Sequence, residues 1–172
     1  MLEDVIAVTL RCRVRKATIN DVSFIIQLLN QQSFIKNIGD KRVKDEPSAK
    51  EYIKQAFLMQ YELERCAPYI VCLTSGEAIG IAGFYQRSYL QNPDLGYAFI
   101  DEYTGKGYAK EVCQQLLIVA HQHFKLTQLH AVTDINNISS KKLLNKLGFK
   151  QVGKIHVQST DKADCLFTYD LD

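Results

Sequence analysis

The sequence lacks the runs and spacings that mark several large classes of protein. No stretch approaches the ~18 consecutive apolar residues of a membrane helix, so no membrane partner is expected. The opening MLEDVIAVTL carries Glu3 and Asp4 where an export leader would be positive. The expected location is therefore cytoplasmic. An excess of one charge is also missing, since 21 basic residues face 19 acidic ones. That balance supplies no basic field for nucleic acid, and none is expected as a partner. The five cysteines (Cys12, Cys66, Cys72, Cys113, Cys165) are odd in number and never spaced as CxxC. This excludes a zinc site or disulfide framework and leaves reduced thiols, mostly small core residues. His121 and His123 lie two apart on an expected helix and point different ways, and His130 and His156 have no partner spacing. No metal is expected. With only three prolines, no repeat and no linker, the 172 residues read as one domain, 1–172. That length buries a sizeable core unaided.

What is present is hydrophobic patterning. In TLRCRV, Thr9 to Val14, apolar and basic residues alternate as in a half-buried strand. Thr18 or Asn20 caps a helix that runs to Gln31. Residues 33–47 read as an irregular connection. Ser48, with Glu51 three residues on, forms a capping box for a second helix that fades before Pro68. Tyr69–Thr74 and Ala78–Tyr85 form a hairpin about Ser75-Gly76, and Leu95–Ile100 is a further strand. An amphipathic helix follows over Tyr108–Phe124, then a strand at Leu129–Thr133. A helix from Ser139 or Ser140 to Leu147 ends on Gly148, the usual C-cap residue. Phe149–Val157 and Cys165–Leu171 close the chain around the polar loop QSTDKAD. The order is β-α-α-β-β-β-α-β-α-β-β. It predicts an α+β fold: a mixed, mostly antiparallel sheet with one βαβ crossover and flanking helices.

The chemistry gathers between Leu95 and Phe149. A strand leads into Asp101-Glu102-Tyr103-Thr104-Gly105-Lys106-Gly107-Tyr108-Ala109 and then a helix. Glycines there let a ligand approach the amides closely, and the helix start favours negative charge. Strand, Gly-x-Gly, helix is thus a pyrophosphate cradle, although a plain glycine-rich turn has the same letters. It is no dinucleotide fingerprint, because Lys110 stands where the third glycine belongs. It is no P-loop, because Ile100 replaces the first glycine and Gly107 the hydroxyl residue.

The second half is Asn137-Ile-Ser-Ser140-Lys-Lys-Leu-Leu144-Asn-Lys-Leu-Gly148-Phe149. LGYAFIDEYTGKGYAKE followed by NISSKKLLNKLGF resembles the GNAT N-acetyltransferase superfamily. It resembles most the branch of bacterial enzymes that acetylate amino termini of ribosomal proteins. The likeness extends to TLRCRVRKATINDV and EAIGIAGFY, and so covers most of the chain. It implies acetyl-CoA as co-substrate. Backbone amides of Gly105, Lys106, Gly107, Tyr108 and Ala109 would hold its pyrophosphate. Backbone at Phe99, Ile100 and Asp101 would hold its pantetheine arm, with Asn137 on the pantetheine amide. One departure is Glu102, where the family has Gln or Arg. A carboxylate there is unfavourable unless it points away.

Acetyl transfer needs a neutral amine, donors for the carbonyl oxygen and an in-line arrangement. A proton for the thiolate is a mild need, since a thiol of pKa ~8.5 leaves readily. Many relatives supply that proton from a tyrosine seven residues after the asparagine, where this chain has Leu144. Ser140 is the alternative the resembled branch suggests, or else an ordinary helix-start serine. Asp94 is the candidate catalytic carboxylate; Asp134 and Glu102 lie nearby, and each also reads as a solvated loop residue. Arg87 and the Lys141-Lys142 pair are candidates for phosphate contact. Tyr85, Tyr97 and Tyr103 read either as cleft lining or as packing. The expected activity is direct acetyl transfer to a primary amine, a protein N-terminus or a small molecule, by a monomer or homodimer. The alternative is an acyl-CoA-binding regulatory module.

Overall fold

The hairpin that opens the computed structural model has Thr9 at its turn rather than at a strand start. Residues 4–156 and 163–171 are described; most of the expected QSTDKAD loop lies outside them. Strand β1 (Val5–Val8) pairs antiparallel with β2 (Cys12–Arg15). Between them Cys12 N–H donates to the Thr9 hydroxyl at 2.9 Å, and Thr9 N–H to the Cys12 carbonyl at 2.8 Å. A small polar residue that bonds its own backbone favours a turn over a strand, and this corrects the expected strand at Thr9–Val14.

Thr18 is the N-cap, and Asn20 is not. It opens a 3-10 turn (Ile19–Asp21) that continues into α1 (Val22–Leu29). The connection read as irregular contains a short helix, α2 (Gln32–Asn37), pinned by buried Phe34. The next helix, α3 (Glu46–Ile53), is capped by Asp45 and not by Ser48. Asp45 Oδ1 accepts from Ser48 N–H at 2.9 Å. Pro47 fits the first turn because its missing N–H has no helical acceptor there. A π-turn over Lys54–Leu58 leads into α4 (Met59–Glu62).

Strands β3 (Pro68–Leu73), β4 (Ala78–Tyr85) and β5 (Asp94–Phe99) follow, then α5 (Tyr108–Gln122), β6 (Gln128–Asp134), α6 (Ile138–Leu147), β7 (Lys150–His156) and β8 (Ala163–Asp170). The sheet order is β1-β2-β3-β4-β5-β6-β8-β7. The fold is α+β, with helices on both faces of a mostly antiparallel sheet. Strand β3 shows why its sequence is an unbroken apolar run. Tyr69 and Val71 enter the core beneath α5 and α6, while Ile70 and Cys72 enter the core beneath α1 to α3. Alternate side chains leave opposite faces, and here both faces are covered. Four of the cysteines are core residues, and among the described residues no disulfide is formed.

One junction breaks the antiparallel pattern. Strands β5 and β6 are parallel and share a single register pair, Asp94 with His130. The bond from His130 N–H to the Pro93 carbonyl, at 2.9 Å, marks the apex. Beyond it the strands part.

Candidate active site

A cavity of about 900 Å³ follows the gap between β5 and β6. At one end stand Gly105, Gly107 and Tyr108; in the middle, Tyr97 faces Ser140; at the apex lie Tyr85, Arg87 and Asp94. Phe99, Asp101, Ala109 and Asn137 also reach its wall. Nine of the eleven sequence-predicted site residues are thereby brought to one cleft. Ile100 is instead packed in the core beneath α1 to α3, and its N–H is used by the Ile79 carbonyl at 2.9 Å. Lys106 is exposed outside the wall. Glu102 is exposed and outside the wall too, which removes the conflict its charge posed.

The glycine turn is shaped by backbone angles that glycine alone adopts freely. Gly105 has φ +73° and Gly107 φ +87°, and Gly107 is the N-cap of α5. Among the described residues, the N–H groups of Gly105, Lys106 and Gly107 donate to no protein acceptor. With the first amides of α5 they form a row of unpaired donors at a helix start, which suits an anion. Arg11, at the β1–β2 turn, braces this corner. Its Nε donates to Glu111 Oε2 at 2.7 Å and its Nη1 to the Lys106 carbonyl at 3.1 Å. Its guanidinium lies 4.3 Å from the Tyr108 ring centroid. No sequence pattern links residue 11 to residue 106; the hairpin turn creates that contact.

Along β5 the gap-side backbone is bridged by Gln31. Its Oε1 accepts from Asp101 N–H at 2.7 Å, and its Nε2 donates to the Phe99 carbonyl at 3.3 Å. A carboxamide thus sits on the very backbone groups expected to hold a ligand's amide. On the opposite wall, Asn137 caps α6, its Oδ1 accepting from Ser140 N–H at 3.0 Å. The cap lies ahead of the expected Ser139 or Ser140 and leaves the Asn137 NH₂ free for other acceptors. The Ser140 hydroxyl is therefore released from capping, and its Oγ lies 2.9 Å from the Tyr97 hydroxyl. Burial, first, drives the Tyr97 pKa up, against a lowering by the Ser140 hydrogen bond. The phenol stays protonated at neutral pH. Its ring was legible as cleft lining or packing; its partner was not.

At the apex, Gly96 has no side chain because the Tyr85 ring lies across it; a Cβ there would meet Tyr85 Cε2 at 2.6 Å. Asp94 is 1% exposed and accepts from Arg87 Nε at 2.8 Å. Burial raises its pKa, with Arg87 opposing. Arg87 therefore stands at the opposite end of β5 from the glycine turn and is not placed for phosphates there. Lys141 is likewise engaged, its Nζ donating to the Ile135 carbonyl at 2.7 Å, whereas Lys142 reaches the cavity wall.

The family described as the acetyltransferase (GNAT) domain matches residues 11–150. The chain belongs to the GNAT acetyltransferase family. It is an acetyl-CoA-dependent acetyltransferase. A Bacillus licheniformis relative, an uncharacterized N-acetyltransferase called p20, is 24% identical over 162 residues, covering 94% of this chain and 91% of that one. Among solved structures, the ribosomal alpha-N-protein acetyltransferase RimL in complex with coenzyme A has TM-score 0.85 at 14% identity, over 98% of this chain and 99% of that chain. A structure of a Vibrio cholerae protein, named as a ribosomal-protein-serine acetyltransferase, has TM-score 0.77 at 20% identity, over 96% and 97%. At these identities the structural neighbours establish the fold alone.

Among the described residues no group of three or more His, Cys, Asp or Glu side chains is placed to hold a metal ion, and no helix is long and apolar enough to cross a membrane.

Proposed function

We propose that the enzyme transfers the acetyl group directly to a primary amine in a ternary complex built along the β5–β6 gap. The amine belongs to a protein N-terminus or a small molecule. The observation that carries this reading is one continuous cavity with unpaired amides at one end and a hydroxyl pair in its wall. The RimL neighbour, solved in complex with coenzyme A, supports acetyl-CoA as the co-substrate. Acetyl-CoA supplies an activated thioester: a C–N bond forms as the C–S bond breaks, and the proton lost by the amine balances the thiolate.

The residues divide that work. The amides of Gly105, Lys106, Gly107, Tyr108 and Ala109 hold the pyrophosphate. The Phe99–Asp101 backbone holds the pantetheine arm once Gln31 gives way, and the free Asn137 NH₂ donates to a pantetheine carbonyl. Ser140 donates to the departing sulfur, its hydroxyl oriented by Tyr97. This replaces the tyrosine that many relatives carry where this chain has Leu144. Asp94 is the buried carboxylate at the apex of the cavity. Its pairing with Arg87 suits holding charge there or receiving a proton through water.

The deciding experiment measures thiol release from acetyl-CoA against peptides with different N-terminal residues, polyamines and aminoglycosides. Release above hydrolysis with one amine class is the expected result. Acetyl-CoA binding without release to any amine would overturn the proposal. Ser140→Ala should lower kcat about ten- to a hundredfold with the acetyl-CoA KM unchanged, because a general acid contributes least to a leaving group of low pKa. An unchanged kcat would remove Ser140 from the mechanism. Asp94→Asn should cost less than about a thousandfold, since an α-amine of pKa ~7.7–8.0 is partly neutral without a base. A larger fall with acetyl-CoA binding intact would make Asp94 an obligatory base.

A further inference from the structure

Beyond the apex the cavity continues to a wall of different chemistry. Lys41, from the α2–α3 connection, and Arg87, from the β4–β5 connection, both line it. Tyr52 of α3, Tyr85 of β4 and Tyr89 stand beside them. Arg87 is spoken for, with Nε on buried Asp94 at 2.8 Å and Nη1 donating to the Tyr89 hydroxyl at 3.2 Å. Lys41 is not: among the described residues its ammonium has no ion pair and no hydrogen bond. Its pKa is lowered, first by the protein that crowds the cleft mouth and then by the Arg87 charge. Asp94 balances Arg87, so the wall as a whole keeps one uncompensated positive charge.

That charge is not placed for the coenzyme's phosphates. Asp94 and Phe99 are separated by the length of β5, roughly 17 Å at the rise of an extended strand. Arg87 lies past the Asp94 end, in the loop that follows Tyr85, its register partner. The glycine turn lies past the Phe99 end. The two cations therefore face whatever enters from the acceptor side. A concave wall of one sign focuses its field on an incoming ligand. An anion between Lys41 and Arg87 would relieve their mutual repulsion and give Lys41 the partner it lacks.

Resting on the amine-transfer reading above, we infer that Lys41 and Arg87 recognise a negatively charged group that the acceptor carries a few atoms from its amine. The tyrosines flank that group with apolar faces and hydroxyl donors. The anion has three chemical sources: an acidic side chain next to a peptide's amino terminus, the α-carboxylate of a free amino acid, or a phosphate ester on a small amine.

The test measures kcat/KM on matched acceptors. The peptide arm uses the amides Ala-Glu-Gly, Ala-Gln-Gly and Ala-Lys-Gly. The carboxylate arm compares free alanine with alaninamide, and the phosphate arm compares aminoethyl phosphate with ethanolamine. In the arm that holds the true source, the anionic acceptor should exceed its neutral counterpart by about tenfold or more. Lys41→Ala should cut that ratio below about threefold and Lys41→Glu should invert it, with the acetyl-CoA KM unchanged. Lys41 is the residue to vary because it is exposed and unpartnered, whereas removing Arg87 would strand buried Asp94. Equal rates for anionic and neutral acceptors in all three arms, or a preference that survives Lys41→Glu, would overturn the inference. If no acceptor is acetylated, the transfer reading fails instead. Calorimetry of the same compounds on the coenzyme A complex then reads the charge preference separately. Tighter binding of an anionic compound that is lost in Lys41→Ala supports the inference, and its absence refutes it.

Discussion

Gly107→Val is expected to weaken acetyl-CoA binding by about a hundredfold while the protein remains folded. Gly107 sits at φ +87°, where a β-branched residue is strained by about 1–3 kcal/mol. A Cβ there would also approach Arg11 Nη2 to 3.3 Å, loosening the brace on the Lys106 carbonyl. The turn would relax toward an ordinary helix entry, and its amides would cease to converge. Losing one or two hydrogen bonds to a charged group, at about 1.5–3 kcal/mol each, accounts for the factor. Gly105→Ala is the graded comparison. Gly105 shares the left-handed angle, at φ +73°, but its Cβ would meet nothing within 4 Å. It should lose only the strain contribution. Calorimetric titration with acetyl-CoA, with circular dichroism to confirm the fold, reads both. If Gly107→Val binds acetyl-CoA as tightly as the parent, the turn is not the phosphate site.

Asp21→Ala is expected to destabilise the protein by about 3–5 kcal/mol, without touching the cleft. Arg15 Nη1 and Nη2 donate to the two Asp21 oxygens at 2.9 and 2.7 Å, and both side chains are about 10% exposed or less. The same carboxylate accepts from Thr18 N–H at 2.7 Å, closing the capping box that starts the helical layer. Removing it strips a buried guanidinium of its bidentate carboxylate, which costs more than losing a surface pair would. At about 2–4 °C per kcal/mol for a chain of this size, the melting temperature should fall on the order of 10 °C. Urea unfolding of Asp21→Ala and of the double variant Arg15→Met with Asp21→Leu separates the causes. The double variant should recover most of the loss, because the guanidinium is removed together with the carboxylate that it pairs with. A loss below about 1 kcal/mol for Asp21→Ala would show that the pair is effectively solvated.

The legible parts of this molecule are those set by local chemistry. The amphipathic stripe of α5, the Ser75-Gly76 hairpin and the Gly148 cap each depend on residues a few positions apart, and each forms as read. The misread parts involve local signals that competed. Ser48 and Glu51 spell a capping box, but Asp45 is the stronger acceptor for Ser48 N–H, and Pro47 tolerates the earlier start. The alternation from Thr9 to Val14 looks like one strand, yet the Thr9 hydroxyl turns the chain and makes a hairpin with Val5–Val8. Helix α2 was hidden because Phe34 is its only buried anchor, too little to set a period.

The sequence by itself determined the α+β order, the glycine turn before α5 and the paired motif that ends at Gly148-Phe149. These follow from backbone preferences and from apolar periodicity, which act within a dozen residues. Only the tertiary structure decided what faces what. It parted β5 from β6 after one register pair, set the Tyr97 hydroxyl on Ser140, laid Gln31 across Phe99 and Asp101, and stood Lys41 beside Arg87. Such meetings join residues 43 to 70 positions apart, through strand register and helix packing. No local preference encodes a contact whose partner is chosen by the way two layers of the fold come to rest on one another.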